Sequence, residues 1–287
     1  MKTLIQALSI TAVALSLSAT PGTAADFLIS DFNNTLYDFT PGTGGAVNPR
    51  SINVLGGRVL DIDTSADGTL FGLTTINDNS LYKINPSTGN ATLVGNTGLT
   101  IIEGDIGFDL TTGTLYGLYD LGNFGNSLFT LNTSNGTPTI IGSVAGDDPS
   151  GLAFDNAGNL FVINSNTNTS DIADLLKVDS SNGNVLETFS TNTAMGSVLG
   201  LDFDPDSGQL FAVSEFGNFY SINPTNGTTT FIDRSGVQAS GLALVSVPVS
   251  IPEPTSWLGI VTVGAAGILW KSKKKTNEGY KGLCCKN

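Results

Sequence analysis

The sequence contains no histidine, and its two cysteines, Cys284 and Cys285, are adjacent and close to the C-terminus. Without histidine, a Ser–His–Asp catalytic triad and histidine-ligated metal sites are excluded. Residues 26–250 contain no cysteine, so no disulfide can cross-link this region. A region of this length can enclose a hydrophobic core without such a link.

Basic residues are also scarce. Between residues 26 and 250 the chain has 23 acidic and 5 basic residues, a net charge of −18. Nucleic acids and anionic lipid surfaces attract positively charged proteins, so this charge argues against both as partners of the region. Lys and Glu are few, whereas Asn, Thr, Ser and Gly are abundant, which favours a β protein with many turns over a helical one.

Three short motifs repeat in register along this region. The motif Gly-x-Leu-Phe/Tyr begins at Gly68, Gly113, Gly158 and Gly208, at intervals of 45 to 50 residues. An apolar run precedes each copy, and another follows it and ends in a polar turn, as in FYSINPTNG at 219–227. Apolar runs separated by such turns are typical of antiparallel strands. The repeat length of 45 to 50 residues fits four strands and four turns, which form one four-stranded sheet. A single sheet of this kind cannot bury both of its faces and needs neighbouring sheets, so the pattern predicts a β-propeller.

The two ends of the repeat region indicate how the ring closes. Residues 27–45 contain the second and third strands of a blade without the first, and residues 240–246 match a first strand with nothing after it. Joining the two gives a fifth blade and leaves no exposed sheet edge. We therefore predict an all-β propeller over residues 26–250, with five four-stranded blades closed by pairing of N- and C-terminal strands. A sixth, irregular blade within Ala46–Arg58 is the alternative.

Four aspartates end the predicted innermost strands at corresponding places: Asp63, Asp109, Asp155 and Asp204. We expect each side chain to cap the turn that follows its strand. Calcium binding by these carboxylates is the alternative, although no DxDxDG-type loop accompanies them.

A second acidic group falls in two kinds of segment that surround one mouth of a propeller's channel. Glu103 and Asp105 precede one predicted innermost strand, and Asp147 and Asp148 precede the next. The loops between second and third strands contain Asp31, Asp120 and Glu215. Such a cluster could hold a divalent cation such as Ca²⁺ or bind sugar hydroxyls. A solvated acidic face without a ligand is the other interpretation, and the sequence predicts no other cofactor.

Residues 1–25 have the layout of a secretory signal peptide. They contain one lysine, an apolar stretch from Leu4 to Leu17, and small residues before Ala24 and Ala25. This order predicts cleavage near Ala24 or Ala25 and export of the mature protein. A membrane anchor is the alternative, for which the apolar run is short.

Residues 251–275 combine three features in a fixed order. Pro252, Glu253 and Pro254 are followed by an apolar stretch, Trp257–Trp270, and then by the basic cluster Lys271, Lys273, Lys274 and Lys275. This order resembles the PEP-CTERM sorting signal of bacterial surface proteins. The resemblance implies that an exosortase-type membrane enzyme recognises the motif and cleaves near Pro-Glu-Pro, and it suggests an exopolysaccharide or biofilm setting.

The hydropathy of the same segment predicts a C-terminal transmembrane helix with its lysines on the cytoplasmic side. A permanent membrane anchor is therefore the alternative to a cleaved sorting signal. Residues 276–287 form a short basic tail that contains Cys284 and Cys285. In the reducing cytoplasm these cysteines would remain thiols, and we assign them no function.

The repeats follow the pattern Leu-x-Phe-Asp-x-x-x-Gly-x-Leu-Phe/Tyr and resemble bacterial surface propellers of the NHL and gluconolactonase-like type. Members of that class include binding proteins and enzymes, so the fold does not decide between them. We favour an exported, non-enzymatic binding or structural module at the cell surface or in the extracellular matrix, with an exopolysaccharide or a surface protein as partner. The alternative is a metal-dependent hydrolase or lactonase with Glu103, Asp105, Asp148 and Glu215 around one ion.

Overall fold

Apolar runs separated by Gly- and Asn-containing turns form twenty antiparallel strands in the computed structural model, which describes residues 26–120, 126–165 and 172–245. Within these residues the strands pair into five four-stranded sheets. The prediction of an all-β propeller with five four-stranded blades is therefore confirmed. The predicted signal peptide and the predicted C-terminal helix lie outside the described residues. In the described part of the chain, no helix is long and apolar enough to cross a membrane.

The strands follow one another through the five blades in chain order. Blade 1 contains β1 (Phe27–Asp31), β2 (Thr35–Phe39) and β3 (Val47–Ser51); blade 2 contains β4 (Arg58–Thr64), β5 (Leu70–Thr75), β6 (Ser80–Ile84) and β7 (Ala91–Asn96); blade 3 contains β8 (Glu103–Asp109), β9 (Thr114–Asp120), β10 (Asn126–Leu131) and β11 (Pro138–Ser143). Blade 4 contains β12 (Pro149–Phe154), β13 (Leu160–Asn164), β14 (Asp174–Val178) and β15 (Val185–Ser190), and blade 5 contains β16 (Val198–Asp204), β17 (Gln209–Ser214), β18 (Asn218–Ile222) and β19 (Thr229–Arg234). The last strand, β20 (Ala239–Leu244), completes blade 1.

The ring closes as the two ends of the repeat region predict. Strand β20 pairs with β1, with Leu244 opposite Phe27 and Leu242 opposite Ile29, and it is the innermost strand of blade 1. Residues 46–58 supply β3, the outermost strand of the same blade, and the linker to β4. The alternative of a sixth blade in this segment is therefore wrong.

Apolar side chains of neighbouring blades pack face to face. Between blades 4 and 5, for example, Ile163 and Leu210 are both fully buried in one cluster. Burying a side chain of this size stabilises the fold by about 1.5–3 kcal/mol. Because each blade covers the faces of its two neighbours, removal of any one blade would expose two such surfaces.

The outermost strands face solvent and are irregular. Each of the five pairings between a third and a fourth strand carries a register shift. A bulge of this kind increases local twist and makes the exposed edge a poor template for pairing with another chain.

The turns between third and fourth strands also set the spacing of neighbouring blades. In the turn after β6, the side chain of Asn85 accepts the N–H of Ser87 (2.9 Å), and Gly89 follows with a φ of 75°. A Cβ on Gly89 would lie 2.2 Å from the carbonyl oxygen of Ser51 in blade 1. Glycine is therefore required there both by the backbone conformation and by the close approach of the blades.

Candidate functional site

Strand register identifies two aspartates at the same level of the channel. Asp61 in β4 pairs with Leu73, and Asp105 in β8 pairs with Leu118, which are equivalent residues of the second strands. The carboxylate of Asp61 accepts the N–H of Ile106 in β8 (2.9 Å) and the N–H of Leu242 in β20 (3.2 Å). Because β8 and β20 flank β4 on opposite sides, this carboxylate lies on the channel side of all three strands.

Glycine makes room for these carboxylates. In β20 the equivalent position is Gly241, and a Cβ there would lie 2.4 Å from Oδ1 of Asp61. In β12 the equivalent position is Gly151, whose Cβ would lie 3.6 Å from Oδ2 of Asp105. One level of the channel thus combines two buried acids with small neighbours.

Asp61 and Asp105 interact with each other and are both fully buried. Burial raises the pKa of Asp61 well above its usual range, and the neighbouring Asp105 carboxyl raises it further. Burial likewise raises the pKa of Asp105 to about 7. Two carboxyl groups that are hydrogen-bonded to each other in a desolvated site favour a state in which they share one proton.

A second pair lies one level further along the channel. Asp63 in β4 accepts the N–H groups of Thr64 (2.6 Å) and of Phe108 in β8 (2.6 Å). Asp202 in β16 accepts the N–H of Phe203 (2.6 Å) and that of Leu244 in β20 (2.5 Å). Burial and the charge of Asp202 raise the pKa of Asp63, and burial raises the pKa of Asp202 to about 6.

Together these side chains join the innermost strands of adjacent blades. Asp61 and Asp63 connect β4 to β8, Asp61 also connects β4 to β20, and Asp202 connects β16 to β20. Asp105 connects β8 to β12, because it accepts the N–H of Leu152 (2.6 Å). Between blades 4 and 5 a serine has this role, since the N–H of Val198 donates to Oγ of Ser165 (3.2 Å). At every blade-to-blade boundary, a backbone N–H therefore donates to a buried or half-buried polar side chain.

Three of the four predicted turn caps are confirmed. Asp109 accepts the N–H of Thr111 (2.9 Å), Asp155 accepts that of Ala157 (2.9 Å), and Asp204 accepts that of Asp206 (3.0 Å).

The prediction is wrong for Asp63, which bonds across to β8 instead of capping a turn. The residue at the cap position of blade 2 is Ser65, whose N–H donates to the carbonyl of Thr69 as that of Asp155 does to Asn159. Asp63 precedes the turn glycine Gly68 by two residues more than Asp155 precedes Gly158, so Asp63 lies inside the strand and not in the turn.

The sequence predicts Asp105 in a linker at the mouth, and this prediction is wrong. Strand β8 begins at Glu103, so Asp105 is inside the strand and inside the channel. Gly104 permits this early start, because its φ is +154° and a Cβ on it would lie 2.0 Å from the carbonyl oxygen of Leu118.

The other predicted mouth residues lie at the end of the ring where first strands begin. Asp31 caps the β1–β2 turn through the N–H groups of Asn33 (2.9 Å) and Thr35 (2.8 Å). Glu103 and Asp120 are opposite each other in the β8–β9 register.

Asp147 is exposed and Asp148 is half-buried in the linker before β12, and half-buried Glu215 follows β17. Among the described residues, no three carboxylate side chains are close enough together to hold a metal ion. Cation binding at this mouth stays a prediction.

The opposite mouth contains a cavity that the sequence did not reveal, which we call the aromatic mouth pocket. It has a volume of 210 Å³, and the last residues of four innermost strands or their immediate neighbours contribute Phe108, Phe154, Phe203 and Leu244. Asp63 and Asp202 lie at its channel side, and Asp155 lies in a turn at its rim. The signal that could have found it is the repeated Phe-Asp at 108–109, 154–155 and 203–204, which places aromatic rings at one level of three blades.

A larger hollow of 710 Å³ lies on the outside of the ring, between blades 1 and 2. It is open to solvent, and its charged groups are already paired, since Nη2 of Arg50 lies 2.6 Å from Oδ1 of Asp38. The aromatic mouth pocket is the better candidate for a ligand site, because apolar rings and buried or half-buried carboxylates converge there.

Comparison with known proteins supports the repeat character of the chain. None of the characterised proteins compared with the chain matches its sequence. Similar solved structures include a protein of unknown function from Bacteroides caccae (10% identity, TM-score 0.49, covering 78% of this chain and 100% of that one). A second is hydrazine synthase from Kuenenia stuttgartiensis (13% identity, TM-score 0.44, covering 77% of this chain and 70% of that one). A third is a gluconolactonase from Xanthomonas campestris (15% identity, TM-score 0.47, covering 76% of this chain and 79% of that one). These similarities are too low to indicate a function. Over residues 105–243, which extend from β8 into β20, the chain matches the profile of a family described as a repeat of unknown function (DUF6923).

Proposed function

We propose that this chain is an exported, non-enzymatic β-propeller that binds a partner at the cell surface or in the extracellular matrix. The observation that carries the proposal is the use of the channel carboxylates. Asp61, Asp63, Asp105 and Asp202 each accept backbone N–H groups from a neighbouring blade. A carboxylate in this role joins blades together and is held in place, so moving it to act in catalysis would break bonds worth about 1–3 kcal/mol each.

The proposed cellular location of the protein rests on two segments outside the described residues. Residues 1–25 have the order of a signal peptide, and residues 251–275 have the order of a PEP-CTERM sorting signal. Glu253 stands between two prolines, which favour an extended backbone suited to recognition by an exosortase-type enzyme. The acidic charge of the propeller region favours a neutral or basic partner, such as a neutral exopolysaccharide or a basic surface protein.

Mass spectrometry of surface protein from the native host tests this proposal. We expect the mature protein to end near Pro252 and Pro254. Glu253→Ala should leave export intact and block processing, so that protein with its apolar tail accumulates in the membrane. Glu278→Ala, which lies beyond the basic cluster, is the matched control and should be processed normally. Mature protein that still ends in Gly-Leu-Cys-Cys-Lys-Asn would show a permanent anchor and overturn the sorting part of the proposal.

A binding assay tests the remaining part. The processed propeller should co-sediment with exopolysaccharide or with surface protein extracted from the native host, and heat-unfolded propeller should not.

Calcium titration distinguishes this function from that of a metal-dependent hydrolase. The hydrolase requires a calcium site that Asp148→Asn and Glu215→Gln both weaken, whereas the binding module requires none.

A further inference from the structure

We propose that the aromatic mouth pocket binds a small organic cation, namely an ammonium group attached to a compact apolar body. This inference goes beyond the proposed function and does not depend on export or on sorting. It rests on the shape of the cavity, on the kinds of side chain that line it and on its charge.

The apolar part of the pocket is formed by rings from three successive blades. Phe108, Phe154 and Phe203 end or nearly end the innermost strands β8, β12 and β16. The face of an aromatic ring attracts a cation, and several rings around one cavity form the arrangement that recognises organic ammonium groups. A volume of 210 Å³ restricts the occupant to a small molecule.

Two of the three rings are held in place by other aromatic rings before any ligand arrives. The ring of Phe108 packs against that of Phe71, with centroids 5.4 Å apart, and the ring of Phe154 packs against that of Tyr116, with centroids 4.8 Å apart. Asp155, which follows Phe154, is fixed by bonds from the N–H groups of Ala157 and Asn159 (both 2.9 Å). A preformed site loses little conformational entropy on binding.

The charge of the pocket is negative. Asp63, Asp155 and Asp202 line it, and none of its described lining residues is basic. Each bonded oxygen of Asp63 and Asp202 accepts one backbone N–H, whereas a carboxylate oxygen can accept two hydrogen bonds. Repulsion from Asp202 is one cause of the raised pKa of Asp63. A cation bound between the two carboxylates would offset this repulsion.

Three probes of similar shape and different charge test the proposal. Benzylammonium, benzyl alcohol and phenylacetate are titrated into the purified full-length protein near neutral pH, and binding is followed by calorimetry and protein NMR. We expect benzylammonium to bind roughly tenfold more tightly than benzyl alcohol, which corresponds to one favourable cation–π and charge contribution. Phenylacetate should bind most weakly, because its charge repels the aspartates.

Two substitutions locate the site. Phe154→Leu keeps the wall apolar and removes one ring, so it should weaken benzylammonium several-fold more than benzyl alcohol. Asp202→Asn should reduce the preference for the cation. Glu215→Gln, at the opposite mouth, is the matched control and should change neither probe.

The pH dependence of wild-type binding is a second measurement that needs no variant. Asp63, Asp155 and Asp202 face the pocket, Asp204 follows Phe203, and Asp61 and Asp105 lie deeper in the channel. As pH falls from about 8 to about 5, Asp202, whose pKa is about 6, takes up a proton, so benzylammonium should bind several-fold more weakly. Benzyl alcohol should be affected much less. Equal binding of all three probes, no saturable binding of benzylammonium, or better binding of a neutral saccharide would each overturn the proposal.

Discussion

Raising the pH from about 4 to about 8 should destabilise the propeller, because two buried carboxyl groups must then lose their shared proton. Asp105 has a pKa of about 7 in the folded protein against 3.8 for an unperturbed aspartate. A carboxyl group with a raised folded-state pKa binds its proton more tightly in the folded state. Its contribution to the free energy of unfolding is therefore fully present below the unfolded-state pKa and is lost as pH rises through the folded-state pKa.

The magnitude follows from the difference between these two pKa values. Each unit corresponds to about 1.4 kcal/mol, so full ionisation of Asp105 alone costs about 4 kcal/mol of the free energy of unfolding. Domains of ordinary stability have only about 5–15 kcal/mol in total. The raised pKa values of Asp61, Asp63 and Asp202 act in the same direction. Aspartates with lowered pKa values, such as Asp109, have the opposite effect, but only below about pH 4.

Urea denaturation followed by far-UV circular dichroism at several pH values measures this effect. Asp105→Asn should be less stable than wild type at about pH 4 by about 1–3 kcal/mol, because one buried N–H loses its acceptor. Its stability should then depend less on pH, so the difference from wild type narrows or reverses by about pH 8. Asp179→Asn, in the turn after β14 and outside the channel, is the control and should give a curve parallel to wild type. A wild-type stability that is level or rises over this range would refute the argument.

Three further predictions concern the joining of the blades. Gly241→Ala should lower the free energy of unfolding by several kcal/mol, because the new Cβ would lie 2.4 Å from Oδ1 of Asp61. Gly56→Ala is the control and should be close to neutral, because the nearest atom to its new Cβ is 3.7 Å away. Thermal melts compare the two variants. Ending the propeller at Val237 removes β20 and leaves β1 as an open edge, so we expect unfolding or oligomers by size-exclusion chromatography. A monomer of unchanged melting temperature would contradict closure by this strand. In urea melts at about pH 4, where Asp63 carries its proton, Asp63→Asn should cost more stability than Asp204→Asn, because only Asp63 bonds to another blade.

The architecture could be predicted because its determinants are local. In blades 2 to 5, each turn after a third strand has its own Asn or Asp, its own Gly and a fixed length, as in residues 85–89 and 223–227. The spacing of these turns gives the number of strands, and the unmatched strands at the two ends give the closure. Neither inference required knowledge of which residues touch across the ring.

The channel could not be predicted in the same way, because its contacts join residues that are far apart in sequence. Asp61 bonds to residues 45 and 181 positions away. In the sequence Asp61 is one acid among many in an acidic chain. Asp105 stands out more clearly, but the strand containing it begins three residues before Ile106, where the apolar pattern starts, since Glu103, Gly104 and Asp105 are not typical strand residues.

Asp63 shows how a displacement of two positions along a strand changes the interpretation of a motif. In blades 3, 4 and 5, a Phe-Asp pair ends the innermost strand, with Phe at the mouth of the channel and Asp in the turn. In blade 2 the similar Ile62-Asp63 pair is displaced, because Thr64 and Ser65 take the positions of Phe and Asp. Asp63 therefore lies two residues before the turn position, on the same face of the strand, and this displacement places its carboxylate in the channel and not in the turn. In the turn of blade 2, serine therefore stands where the other blades have aspartate, and the aromatic mouth pocket gains one of its two channel-side carboxylates.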